Sequence, residues 1–288
     1  MLLKRHEATE GKIEVKVGKE KTDTIANPVP DMRIRLACIF LFSILLRLTC
    51  LWLDPTISRD GAWYVYLSQI WYDTGSFQGI IDAGNEFWTP PPLLFYLIKT
   101  IMHFGISPEA AGVSLNIFLG SMIPLITYKI SKEVTQREDV SICAAILAAV
   151  NPTIVDFSHE LQRDMLYLFF IGFVIWFLLA GIRQKKNSYW FYAGIFCSFA
   201  FLSRFETAEF FLIIPCALIY LYLIKTIPTK DTMYYGIACF TGFAVTTLCL
   251  VVIMQIPVTL LARYHSFYRF KATVVEQQFH PEETGLIK

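Results

Sequence analysis

Long apolar runs separated by short polar segments dominate the chain and predict membrane-spanning helices. A helix needs about 17 to 25 predominantly apolar residues to cross roughly 30 Å of hydrocarbon. Runs close to this length occupy 36–53, 112–128, 140–155, 165–182, 210–224 and 233–256. Two shorter apolar stretches lie at 189–202 and 92–104. Which of these two crosses the membrane decides the predicted topology.

Basic residues between the runs favour a crossing at 189–202. With that crossing, the basic N-terminal tail and the basic inter-run clusters fall on one side, which the positive-inside rule assigns to the cytoplasm. The clusters are Lys129, Lys132 and Arg137; Arg183, Lys185 and Lys186; and Lys225 and Lys230. A crossing at 92–104 instead would turn all of them outward. We therefore predict that 92–104 is a helix lying in, or dipping into, the outer interface.

The predicted fold is an all-α integral membrane protein, a multi-pass helical bundle of about seven spans. Its first external loop, 54–111, is expected to carry amphipathic helices at the membrane surface. A polar cytoplasmic tail at 1–32 precedes a transmembrane domain at 33–256, and an external segment begins at 257–288. Because that segment is short, we interpret the chain as a fragment or a shortened form.

Composition agrees with a lipid environment. Of the 288 residues, 55% are hydrophobic and only 17% are charged, a balance that is unusual for a water-soluble domain. Lys and Arg total 25 against 24 acids, so the net charge gives no reason to expect nucleic acid as a partner. Membrane lipids are the expected surroundings, in a plasma, inner or endoplasmic reticulum membrane.

The first candidate site residue is Asp60, in the predicted external loop. Apolar and aromatic residues follow it at 63, 66, 67, 70 and 71, the spacing of one helix face. Asp60 would open this helix, where a carboxylate can cap backbone N–H groups. Alternatively, it is a general base held at the bilayer surface.

A second set of candidates lies at 156–164. His159 and Arg163 are four residues apart, as are Glu160 and Asp164, so each pair is expected to share a helix face. One interpretation is a network of interfacial salt bridges. The other is a functional site, because charges at a bilayer edge are costly unless they face a cavity.

The third set, at the end of the short span, contains Arg204 and Glu206. Arg204 either snorkels to the headgroups or binds a lipid phosphate. Arg47 lies deeper, inside the first span, and is expected to have a partner in the bundle interior.

The predicted topology brings these polar residues to one membrane face, outside the cytoplasm. They are Asp60, His159, Glu160, Arg163, Asp164, Arg204 and Glu206. An acid that accepts a proton and cations that stabilise an anionic leaving group suit transfer from a phosphate-linked donor. No cofactor is certain, and a divalent cation is left open because the ligand spacing matches no known motif.

The sequence resembles the GT-C superfamily of membrane glycosyltransferases, specifically the group around protein O-mannosyltransferases and lipid A aminoarabinose transferases. Three pieces carry the resemblance in order: RDGAWY at 59–64, TPPPL at 89–93 followed by FGIS at 104–107, and GVSLN at 112–116. Relatives often have a second acid where this chain has Gly61, and Lys or His where it has Thr89.

The resemblance implies a polyprenyl-phosphate sugar donor and a lipid, glycan or protein acceptor whose hydroxyl is used on the external or luminal side. Asp60 matches the family's proposed catalytic base, and the reaction would invert the anomeric carbon. Arg204 and Arg163 would bind the donor phosphate. Asp164, His159, Glu160 and Glu206 would support the site or hold a metal.

Two alternatives come from other classes. A transporter or lipid flippase also has apolar helices and few charges, but it tends to place ionisable groups at mid-membrane, where the sequence offers only Arg47. A catalytically silent assembly subunit would fit Gly61, Thr89 and the early end of the chain.

Overall fold

The computed structural model describes residues 31–85, 91–226 and 228–257. Most of the predicted tail at 1–32 and of the external segment at 257–288 lies outside these ranges, as does Thr89. Within them the chain is helical and contains no strand. The α-helices are α1 Met32–Leu53, α2 Arg59–Thr74, α3 Gln78–Ile80, α4 Leu93–Met102, α5 Pro108–Thr135, α6 Glu138–Ala149, α7 Pro152–His159, α8 Arg163–Gln184, α9 Asn187–Ser203, α10 Phe210–Leu223 and α11 Thr229–Ile253. A π-helical turn at Ile81–Asn85 follows α3, and a 3-10 turn at Phe205–Glu209 precedes α10.

The predicted all-α, multi-pass membrane architecture is confirmed, but the count of seven spans is not. Five described segments are long and apolar enough to cross a membrane: α1, α5, α8, the 3-10 turn with α10, and α11 from Lys230. A sixth span results if α6 and α7, bent by 48° at their break, are taken together. The seventh predicted span corresponds to α9, which has only 17 residues.

The bend between α6 and α7 interrupts the span predicted at 140–155. Pro152 begins α7, and the Asn151 side chain caps it by accepting a hydrogen bond from the Ile154 N–H at 3.2 Å. A break inside lipid is tolerated only where other groups satisfy the freed backbone. Arg47 of α1 is fully buried here. It donates to the Ala149 carbonyl at 3.4 Å and to the Ser158 hydroxyl at 3.0 Å.

Arg47 therefore has partners in the bundle interior, as expected. These partners are hydroxyl and carbonyl oxygens and not a carboxylate. Its Nη1 also donates to the Ser43 carbonyl at 3.0 Å and to the Ser43 hydroxyl. These bonds join α1 to both halves of the broken span, and α7 then carries His159 toward the candidate site.

Helix α5 is the centre of the bundle and packs against α1, α2, α4, α6, α7 and α8. On its far side α8 packs on α9, α9 on α11, and α11 on α10. Helices α9 and α11 meet backbone to backbone at two glycines. A Cβ on Gly194 would lie 2.0 Å from the Cys239 carbonyl oxygen, and one on Gly242 would lie 2.2 Å from that of Phe191.

The predicted loop at 54–111 folds as α2 and α4 packed against α5. The short helix expected at 92–104 is confirmed as α4; its depth in the membrane stays a prediction. On α2 the buried face is centred on Tyr64, Leu67 and Trp71. It is rotated about the helix axis relative to the face predicted from sequence. Tyr66, expected on that face, is 47% exposed.

Candidate functional site

The start of α2 is fixed against the turn that joins α7 to α8. Ser58 is the N-cap, because its hydroxyl accepts a hydrogen bond from the Gly61 N–H at 2.9 Å. The Ser58 N–H donates to the Glu160 carbonyl at 3.0 Å. A Cβ at Gly61 would lie 2.9 Å from that same carbonyl oxygen, so a side chain at this position would separate the two segments.

Asp60 is therefore not the cap that its position allowed. It lies in the first turn of α2, exposed, and within the described part of the chain its carboxylate has no hydrogen bond or ion pair. Carboxylates near a helix N-terminus are favoured by the helix dipole. The arrangement leaves an unpaired carboxylate at the start of α2, whose preceding residue Ser58 is bonded to the α7–α8 turn.

The α7–α8 turn separates residues that were expected to share helix faces. Helix α7 ends at His159 and α8 begins at Arg163, so the predicted four-residue pairings on one helix are wrong. Leu161 breaks the helix with a φ of +59°, a conformation that costs a leucine about 1–3 kcal/mol. Burial of Leu161 against α5 holds it there: a Cβ on Gly112 would lie 2.4 Å from its side chain.

Two of the predicted residues have partners within this turn. The His159 ring is buried, and its Nδ1 lies 3.2 Å from the Val155 carbonyl one turn earlier. The Glu160 carboxylate accepts a hydrogen bond from the Gln162 amide at 3.3 Å. The Asn116 amide of α5 donates a hydrogen bond to the Gln162 carbonyl at 2.8 Å and so joins the turn to α5.

Arg204 approaches from the other side, at the junction of α9 and the 3-10 turn. Its N–H donates to the Ala200 carbonyl at 2.8 Å, and the Thr207 hydroxyl donates to its carbonyl at 2.7 Å. The guanidinium pairs with Asp164 through Nη1 and lies 3.4 Å from Glu206 through Nη2. It also lies over the Tyr167 ring, 5.6 Å from the centroid. Its Nε is buried and has no partner in the described residues.

Four charged side chains of these segments influence the Tyr64 phenol. Tyr64 is only 4% exposed. Burial is the main cause that raises the pKa of this phenol, to about 12; Asp60 and Asp164 raise it further, while Arg163 and Arg204 lower it. The hydroxyl therefore stays protonated at neutral pH and can donate a hydrogen bond. Within the described residues it has no hydrogen-bond partner.

We call these residues the Arg204 cluster: Asp60, Tyr64, Arg163, Asp164, Tyr167, Arg204 and Glu206. Five of its members are charged residues that the sequence had offered as candidates: Asp60, Arg163, Asp164, Arg204 and Glu206. Chemically, the cluster combines an unpaired carboxylate with guanidinium and phenol donors that are only partly used. The guanidinium and phenol donors could bind an anion, and the carboxylate could accept a proton from a neighbouring group.

Sequence reasoning missed Tyr64 and Tyr167. Helical spacing could have found them, because Tyr64 lies four residues after Asp60 and Tyr167 three after Asp164. The sequence left open whether a divalent cation binds. Among the described residues, no three His, Cys, Asp or Glu side chains are grouped to hold a metal.

Comparison with known families gives one further finding. The family described as dolichyl-phosphate-mannose-protein mannosyltransferase matches residues 89–254, more than half of the chain. The matched stretch contains Arg163, Asp164 and Arg204 but not Asp60 or Tyr64. A search of curated proteins gave no match.

Proposed function

The chain belongs to the dolichyl-phosphate-mannose-protein mannosyltransferase family, and from that premise we propose that the Arg204 cluster transfers a sugar from a polyprenyl-phosphate donor to an acceptor hydroxyl. The family is one of membrane glycosyltransferases, and the helices of the chain are apolar enough for a membrane. One observation carries the assignment to this cluster. An unpaired carboxylate and two guanidinium groups, from three separated segments, are close enough to one buried phenol to act on its pKa.

In the proposed reaction Asp60 accepts the proton of the acceptor hydroxyl as its oxygen bonds to the anomeric carbon. The bond from that carbon to the phosphate oxygen breaks, and the electron pair leaves with the polyprenyl phosphate. Arg204 and Arg163 stabilise the added negative charge on the phosphate. Attack opposite the leaving group inverts the anomeric centre.

Each remaining site residue has a proposed supporting role. Asp164 and Glu206 orient the Arg204 guanidinium. The Tyr64 hydroxyl gives a hydrogen bond to the phosphate or sugar of the lipid-linked substrate. His159 and Glu160 act indirectly, because their turn holds Gly61 and so fixes the position of Asp60. The second acid that relatives often have after Asp60 has no space here, since Gly61 packs on a backbone carbonyl.

The proposed orientation has the N-terminus in the cytoplasm and the Arg204 cluster on the external or luminal side. Helix α8 has 22 residues, a length of about 33 Å, and the basic residues Arg183, Lys185 and Lys186 follow at its opposite end. Helix α9 returns after a two-residue connection and packs along α8, so we include it as a seventh span of a 33–256 domain.

The transfer proposal is tested with purified full chain in lipid vesicles. Polyprenyl-phosphate sugars labelled in the sugar are supplied with candidate lipid, glycan and hydroxyl-bearing peptide acceptors, and free polyprenyl phosphate is measured. The proposal expects its release together with labelled acceptor. Movement of intact donor between leaflets without cleavage would instead support a flippase, and no reaction would support a silent subunit.

Orientation has its own test, thiol labelling of single cysteines in a cysteine-free background. Cysteine at Lys132 or Lys185 should react only with a reagent that enters the cytoplasm. Cysteine at Glu109, which is exposed at the start of α5, should react from outside. The reverse pattern would overturn the proposed orientation.

A further inference from the structure

Arg47 is a charged residue inside the first candidate span that the proposed reaction does not use. It is fully buried in α1, and among the described residues it forms no ion pair. A cation is costly to bury inside a membrane domain, and such residues are usually retained for a function. Its hydrogen bonds all go to neutral oxygens, and its Nη2 has no partner in the described part of the chain. Pairing with a carboxylate therefore does not account for Arg47.

The bonds of Arg47 meet the span formed by α6 and α7 on both sides of its bend. Helix α6 ends at Ala149, and the Ala149 carbonyl accepts a hydrogen bond from Nη1 at 3.4 Å. Near the end of α7, the fully buried Ser158 hydroxyl accepts one from Nε at 3.0 Å. Because a guanidinium presents its donors in a rigid planar fork, the two bonds together restrict the angle between α6 and α7.

Helix α5 leaves space for the contact between Arg47 and Ser158 at a glycine. A Cβ on Gly120 would lie 2.1 Å from the Ser158 hydroxyl oxygen and 2.9 Å from the Arg47 Nε. A larger residue at this position would therefore push both groups away from α5. Helices α1, α5 and α7 pack against one another, and the hydrogen bond between Arg47 and Ser158 lies where they meet.

We propose that Arg47 is a positioning residue for Asp60, an inference that rests on the proposed function. Ser158 lies two residues before Glu160, whose carbonyl accepts a hydrogen bond from the Ser58 N–H at 3.0 Å. Ser58 in turn caps α2, the helix that carries Asp60 in its first turn. The path from Arg47 to this carboxylate therefore contains two hydrogen bonds, which are joined by the C-terminal end of α7.

Loss of the first hydrogen bond in this path should displace Asp60 without removing any reacting group. A general base must lie within about 3 Å of the proton that it accepts, and a misplacement of about 1 Å can lower a rate about 100-fold. Donor binding through Arg204 should persist, because Arg204 follows α9 and is not part of the path. The proposed role thus predicts a loss of turnover rather than of donor affinity.

The experiment compares Ser158→Ala with Ser43→Ala in the full chain. Each substitution removes one hydroxyl that accepts a hydrogen bond from Arg47, and both serines are fully buried. Ser158 lies on α7, whereas Ser43 lies on α1 itself, one turn before Arg47. A role in stability alone should affect the two variants alike, and the midpoint of thermal unfolding in detergent measures that contribution.

The first readout is hydrogen–deuterium exchange of the segment 55–61, which does not depend on activity. Ser158→Ala should speed exchange at the Ser58 amide by roughly 3- to 10-fold, because the hydrogen bond to the Glu160 carbonyl opens more often. Ser43→Ala should leave this exchange unchanged. Arg47→Lys, which replaces the planar fork by a point charge, serves as a second variant with the same expected direction as Ser158→Ala.

The second readout is sugar transfer in vesicles at saturating donor, measured together with donor affinity. Ser158→Ala should lower turnover by about tenfold, within the range that a small misplacement of the base produces, while donor affinity stays at the wild-type value. Ser43→Ala should match the wild type in both measurements.

The outcomes separate this inference from the proposed function. If the two serine variants change exchange and turnover alike, or if Ser158→Ala leaves either one unchanged in an active protein, Arg47 does not position Asp60 and the proposed function stands. If exchange at Ser58 rises as expected but the wild-type protein transfers no sugar, the start of α2 still depends on Arg47 for its position, and the proposed function fails.

Discussion

An arginine–carboxylate pair lies at each end of α8, and the two pairs differ in how many of the guanidinium nitrogens have partners. At its C-terminal end Arg183 pairs with Glu133 of α5, with Nε 2.5 Å from one carboxylate oxygen and Nη2 donating to the other at 3.1 Å. Its Nη1 donates to the Gln136 side chain at 3.0 Å. We call this the Arg183 clamp. Its Nη1 and Nη2 donate hydrogen bonds, and its Nε makes an ion-pair contact.

The Arg204 cluster at the N-terminal end is incomplete by comparison. The Nε of Arg204 is buried without a partner, and its contact with Glu206 is long at 3.4 Å. Asp60 and the Tyr64 hydroxyl also lack partners within the described residues. A buried donor left unpaired costs about 1–3 kcal/mol, and a bound anion would remove that cost. The Arg183 pair therefore joins α5 to α8, whereas the Arg204 cluster keeps a buried donor that the proposed function assigns to the donor phosphate.

The largest expected effect is that of Asp60→Asn on transfer. A general base contributes about 100- to 10,000-fold in rate, and the amide cannot accept a proton at neutral pH. Ser58 caps α2 in its place, so folding and donor binding should be unchanged. The rate of sugar transfer in vesicles is the measurement.

Asp73→Asn is the matched control, because Asp73 lies near the other end of α2 and is exposed. Its activity should match that of the wild type. Near-normal transfer by Asp60→Asn would remove Asp60 from the catalytic role.

Arg204→Ala and Arg183→Ala should separate ligand binding from stability. Loss of charged hydrogen bonds at Arg204 should weaken polyprenyl-phosphate binding by about 10- to 100-fold, and Arg204→Lys should recover it only in part because a point charge replaces a planar fork. Arg183→Ala should leave donor affinity unchanged. It should lower the free energy of unfolding by about 1–3 kcal/mol, between the values for exposed and for buried pairs, because Arg183 is half-exposed while Glu133 is nearly buried.

The two readouts are a binding titration and the midpoint of thermal unfolding in detergent. The comparison between the ends of α8 fails if Arg204→Ala leaves binding intact and lowers only the midpoint. In that case both arginines would be structural, and the phosphate would bind elsewhere.

Tyr64→Phe should have a moderate effect, because it removes one hydroxyl and keeps the buried ring. The loss of a single hydrogen bond corresponds to about 2- to 12-fold. Because the pKa of Tyr64 is raised to about 12, the hydroxyl stays protonated, so the deficit should be constant across neutral and mildly alkaline pH. Steady-state transfer rates over that range are the measurement.

Tyr66→Phe is the control on the same helix, where the side chain is 47% exposed. It should behave as wild type. A Tyr64→Phe deficit that disappeared as the pH rose would contradict a neutral, hydrogen-bond-donating phenol.

Sequence patterns predicted the class of fold and the charged members of the cluster, because apolar length and charge position are local properties. They did not predict the break at Leu161, since a leucine with positive φ is stabilised by contacts with Gly112, which lies 49 positions away. Nor did they predict Arg47 at the α6–α7 bend, where its partners belong to distant helices. Tyr64 was missed for a third reason. In the sequence it cannot be distinguished from an aromatic residue of the membrane interface, because its charged neighbours come from other segments.

The smallest expected effect is that of Glu206→Gln, and it bears on the cation that the sequence left open. Glu206 is about half-exposed, with 48% of its side chain accessible, and it lies 3.4 Å from Arg204. Exposed ion pairs contribute little, so donor affinity should change by less than about fivefold and should not respond to added magnesium or manganese. Glu209→Gln, in the same 3-10 turn, is the control. A much larger loss at Glu206 alone, seen only when a divalent cation is present, would mean that the cluster binds its phosphate through a metal, and Arg204 would then be a second ligand-binding group rather than the principal one.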